Sequence, residues 1–119
     1  MKYMLLIYET PDTREIFTGA EGRELMAQVN AVIRELTDSG ELIGGEALAD
    51  PSTAKSVRTG GGSPAITDGP FAEAKEHLGG YVIVECDHAR ALDIASRWPA
   101  VGSGGMEVRA LMDGGGAEM

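Results

Sequence analysis

Along this chain, apolar and polar positions fall into short patterned blocks separated by clusters of glycine. Lys2 to Glu9 (KYMLLIYE) is almost continuously apolar, which predicts a strand at the centre of a sheet, buried on both faces. Pro11-Asp12 ends it. From Gly22 to Ser39, Leu25, Met26, Val29, Val32, Ile33 and Leu36 recur at helical spacing, predicting an amphipathic helix. Gly40 follows where a C-cap glycine belongs. Glu41 to Leu48 and Ala54 to Thr59 predict two strands, with turn chemistry between them in Asp50-Pro51-Ser52. Pro64 to Thr67 predicts a short strand after the turn Gly60-Gly61-Gly62, and Phe71 to His77 a turn or two of helix. Gly80 to Glu85 is β-branched and aromatic, a strand signature. Asp87 is placed to cap a helix over His88 to Arg97, with Ala91, Leu92, Ala95 and Trp98 turned inward. Met106 to Met112 alternates as a last strand. Residues 1–112 thus read as one domain and 113–119 as a disordered tail.

The order β-α-β-β-(insert)-β-α-β predicts an α+β fold, a ferredoxin-like split βαβ arrangement with an inserted β-hairpin. Two helices cover one face of such a sheet and leave the other bare. A second copy packing sheet on sheet around a two-fold axis would cover it, so a homodimer is expected.

Charge narrows the partners. Among 119 residues, 10 Lys and Arg face 19 Asp and Glu, a net charge of −9. That balance disfavours nucleic acid and anionic membrane surfaces, both of which need a basic face. The lone cysteine, Cys86, excludes an internal disulfide and a Cys-rich zinc site. The apolar run from Tyr3 to Tyr8 is too short for a signal-peptide core or a membrane span, so a cytoplasmic protein is expected.

Candidate chemistry gathers around Asp68-Gly69-Pro70-Phe71. Asp68 is either an Asx-type turn residue or a carboxylate at a cleft mouth, acting as base or anchor. Phe71 reads as a core plug. Glu73 and His77 are four apart; on a helix they share a face, where a carboxylate can orient an imidazole. The alternative is a solvated face carrying Glu73, Lys75, Glu76 and His77. Arg58 either holds a substrate carboxylate or pairs with a surface acid. Tyr8 offers a hydroxyl to a pocket or fills an interface. No metal is expected, because Glu73 and His77 find no further ligands at suitable spacing. No cofactor is expected either; the three-glycine turn lacks P-loop and Rossmann spacing.

The stretch from Ile66 to Glu85 (ITDGPFAEAKEHLGGYVIVE) closely resembles the signature of the YCII-related family, in the branch named for its Asp-Gly-Pro-Phe motif. Lys2 to Tyr8, Ser56-Val57-Arg58 and Met106 to Arg109 resemble the strands that surround it. The resemblance implies a dimeric α/β barrel. It also implies similarity to a few small-molecule enzymes, in a wider fold group that includes isomerases and monooxygenases that need no metal. Smaller relatives pair a His on the first helix with an Asp; Gly22 to Ser39 has no His, so that dyad is not carried over. Two functions are expected on this basis. One is an isomerase or lyase acting on a small polar or aromatic acid, with Asp68 or His77 moving the proton, Glu73 orienting His77, and Arg58 and Tyr8 binding substrate. The other is a non-catalytic ligand-binding or accessory dimer that acts through protein partners.

Overall fold

The apolar N-terminal run forms β1 (Lys2–Glu9). It is followed by α1 (Pro11–Thr18), α2 (Gly22–Ser39), β2 (Leu42–Ala47), a single 3-10 turn at Pro51–Thr53, β3 (Lys55–Arg58), β4 (Ala65–Asp68), β5 (His77–Glu85), α3 (His88–Arg97) and β6 (Met106–Ala110). The computed structural model describes residues 1–71, 74–99 and 104–112. Four strands form one antiparallel sheet in the order β2-β5-β1-β6, and β3-β4 form a separate hairpin. The crossovers through α2 and α3 each join parallel strands that have one other strand between them. The fold is therefore mixed α+β with an antiparallel sheet, and its strand order is compatible with the expected split βαβ pattern. The sheet of one chain is open, not a closed barrel. The expected tail 113–119 lies outside the described residues.

Period-two alternation sorts the sheet into two unlike faces. Tyr3 and Leu5 oppose Val84 and Val82 on β5, and Leu5 opposes Val108 on β6. These residues pack with Leu36 of α2, and with Ala91, Ile94 and the adjoining Trp98 of α3, in the only large core among the described residues. Met4, Leu6, Tyr81 and Ile83 alternate with them and point to the opposite face. They are half-buried, and none belongs to the core. The smallest dimension of the chain is 19 Å, which leaves room for one helix layer of about 10–12 Å on one side of the sheet.

An ionic cluster ties the helix layer together. Arg90 of α3 donates from Nε and Nη2 to Glu41 at 2.9 Å each, and also reaches Glu35 and Asp93. Arg97 bonds Glu35 and Asp93. Hydrogen bonds from Arg90, and then from Ser39, bring the Glu41 carboxyl down to about 2 from an ordinary 4.5.

Three expectations are corrected here. A helix, α1, follows β1 where only a strand stop was read; Thr10 caps it by accepting from the Thr13 N–H, and Pro11 sits in its first turn. The described residues of the expected Phe71 to His77 helix are not helical: Lys75 and Glu76 lie in bends and His77 opens β5. In α3, Ile94 is buried while Leu92 is 49% exposed. The expected C-cap at Gly40 is present, with φ +80° and bonds to the Leu36 and Thr37 carbonyls. Gly22 cannot be exchanged, because a Cβ there would lie 1.8 Å from the Phe17 carbonyl oxygen.

Leu36→Ala should cost about 3 kcal/mol in chemical denaturation, because it opens a cavity in a fully buried site. Leu92→Ala should cost under about 0.5 kcal/mol. Glu41 has a lower pKa folded than unfolded, so its stabilisation is complete above about 4.5 and fades as the pH falls towards 2. Glu41→Gln should flatten this acid limb in melting curves recorded across that window.

Candidate functional site

The central ladder ends where Glu9 of β1 stands opposite His77 of β5. The register slips by one residue just before this point, between Ile7 and Tyr8, which leaves Gly79 as a bulge. The Glu9 carboxylate occupies the space that a side chain on Gly79 would need, since a Cβ there would come within 2.7 Å of Glu9 Oε2. Gly80 is equally constrained, by the Glu46 carbonyl at 2.9 Å on β2. The glycine pair therefore sits inside a strand, admitting close neighbours on both sides, and β5 runs on past it to His77.

A cavity of about 430 Å³ opens at this end of the sheet, lined by Glu9, Pro11, Arg14, Asp50, Pro51 and His77 among others. Each wall has a local cause. Pro11 and Arg14 come from α1. Asp50 and Pro51 come from the 3-10 turn, where Asp50 Oδ1 accepts from the Ser52 N–H at 2.9 Å. Arg14 links the walls: Nη1 donates to Glu9 Oε1 at 3.2 Å, and Nε faces Asp50 Oδ2 at 3.3 Å. The Glu9 side chain is only 13% exposed, so this pair is partly shielded from water. The Ser52 N–H, and then the Arg14 charge, hold the Asp50 carboxyl below its ordinary range. His77 Nε2 lies 3.5 Å from the Phe71 carbonyl oxygen. An imidazole, the three carboxylates of Glu9, Glu15 and Asp50, and a guanidinium thus surround one open hollow. That set is able to bind a polar molecule and to exchange protons with it. Among the described residues, no group of three or more His, Cys, Asp or Glu is placed to hold a metal ion.

Of the described residues singled out in the sequence, His77 lines this cleft and Asp68, Arg58 and Tyr8 lie elsewhere. Asp68 is in β4 with its side chain 88% exposed, paired with Lys55 across the hairpin. Arg58 of β3 lies over the Phe71 ring, 4.5 Å from its centre. That ring is itself exposed and plugs no core. Tyr8 is on the open sheet face, where its hydroxyl donates to Glu107 at 3.4 Å; burial, and then Glu107, push its pKa up. Glu73 lies outside the described residues. Cys86 is likewise pushed up, by burial and then by Glu41 and Asp87, which keeps it a poor nucleophile. Glu9, Arg14 and Asp50 escaped the sequence reading. A signal existed in Thr10-Pro11, a cap residue followed by proline, which marks a helix start and brings Arg14 into register.

Gly79→Ala should push Glu9 aside and loosen its pair with Arg14. The Arg14 Nε–H resonance should then shift in NMR spectra. Gly61→Ala, where an added Cβ meets nothing within 4 Å, should leave it in place.

The model of the YCII-related domain matches residues 1–114. An uncharacterised protein of Rhizobium meliloti (strain 1021) is 31% identical over 118 residues, covering 93% of this chain and 92% of that protein. No described helix is long and apolar enough to cross a membrane. With nearly its whole length matched, and with a sheet and helix order that accommodates the match, the chain belongs to the YCII-related domain family.

Proposed function

We propose that the chain, a member of the family's Asp-Gly-Pro-Phe branch, binds a small polar molecule in the His77 cleft and moves a proton on it without a cofactor. The supporting observation is the convergence of His77 with Glu9, Arg14 and Asp50 around one hollow of about 430 Å³. That volume is in the lower part of the range for small-molecule sites. The imidazole is the proton carrier in this reading, because one ring nitrogen can accept a proton while the other donates one. Isomerisation and elimination are the reaction types such a set serves. Asp68 and Arg58 take no part within one chain, since both project on the hairpin.

The same placement favours a second reading, a binding module without turnover. Deuterium incorporation separates the two. Small carbonyl compounds incubated in heavy water with the wild type should gain deuterium at carbon, and His77→Asn should lose this at least about 100-fold. Binding without exchange in the wild type would support the module and defeat the enzyme.

The assembly belongs to this proposal as well. The ferredoxin-like sheet of one chain pairs face to face with that of a second copy, completing a dimeric barrel. Support comes from the uncovered row of Met4, Leu6, Tyr81 and Ile83. It also comes from the charges on β6, where Arg109 is beside Met4 and Glu107 beside Leu6. A two-fold axis across the strands, between these two rows, sets Arg109 of each copy against Glu107 of the other. Light scattering should give the mass of two chains. Arg109→Glu alone should weaken the dimer about tenfold, and adding Glu107→Arg should restore it.

A further inference from the structure

The hydrogen-bonding and charge inventory of the cleft is lopsided, and the imbalance selects a ligand. Three carboxylates line it: Glu9, Asp50 and Glu15. The one guanidinium among the lining residues, Arg14, already directs Nη1 at Glu9 and Nε at Asp50. Glu15 forms no ion pair among the described residues. The hydroxyls nearby are turned inward too: Thr10 caps α1, and Thr18 donates to the Arg14 and Glu15 carbonyls. Acceptors therefore outnumber donors, and the three carboxylates together with Arg14 carry a formal charge of about −2. The N-terminus of α1 opposes this with only about half a positive charge. The net charge of −9 on the whole chain adds to the attraction for cations.

We infer that the cleft takes a small molecule bearing a cationic amine, drawn by the excess of carboxylate over guanidinium in its lining, while its apolar body rests between Pro11 and Pro51. This rests on the reading of the cleft as the ligand site, and it replaces the acid expected from the sequence. An incoming carboxylate would have to break an Arg14 pair and would then face three like charges. An ammonium keeps both pairs and supplies three donors where donors are lacking.

The test uses three probes of one shape, benzylamine, benzyl alcohol and benzoate, titrated into the isotope-labelled full chain at neutral pH. Benzylamine should shift the amides of residues 9, 10, 12–18, 50 and 77 in a saturable way and bind at least about tenfold tighter than the alcohol. Glu15→Gln should weaken it severalfold, and so should raised salt. Benzoate binding at these residues as tightly as the amine would overturn the charge inference and leave the cleft standing as a site. Equal binding of amine and alcohol would overturn it in the same way. Saturation by none of the three would overturn the inference and the ligand-site reading together.

Discussion

The ladder between β1 and β5 is the constraint on which the rest of the molecule depends. It pairs Lys2 with Glu85 at one end and Glu9 with His77 at the other. Along its length it decides which side chains enter the core and which reach the bare face. A slip of one residue would exchange the two faces wholesale. The ladder does slip once, at Gly79, and that slip shapes the cleft at the end of the sheet. The carboxylate of Glu9 rests on the bulged glycine, Arg14 rests on Glu9, and the turn at Asp50 rests on Arg14.

The core and the cleft are held by different physics. In the core, Leu5, Leu36, Val84 and Ile94 are fully buried and need only shape and apolarity. Above it, five charged side chains lock α2 to α3 on a partly wet surface, where one pair contributes little and a network more. In the cleft, the charges face an open hollow.

Much of this was legible in the sequence. The apolar run of β1, the stripe of α2, the Gly40 cap and the alternation of β6 each follow from local periodicity, and the order of elements follows from them. The site was less legible. Its residues are brought together by register, not by spacing: Glu9 and His77 are 68 positions apart along the chain yet face each other across two strands. The Gly79-Gly80 pair looked like the boundary of a strand because glycine usually breaks one. Here it marks crowding by Glu9 and by the β2 backbone, which only the fold reveals. Glu73 and His77 suggested a helical pair because four-residue spacing is meaningful only on a helix, and that segment is extended where it meets His77.

The hairpin of β3 and β4 is fastened at its base, where Gly69 donates to the Ala54 carbonyl and the Ser56 hydroxyl to that of Gly69. Beyond this clasp, Val57 and Ile66 oppose each other while 51% and 69% exposed, and the tip turns through Gly60 and Gly62 at positive φ. Such an arm is mechanically independent of the body that carries it. Past the buried Ser56, its exposed tip can change in length or chemistry without disturbing the interior packing.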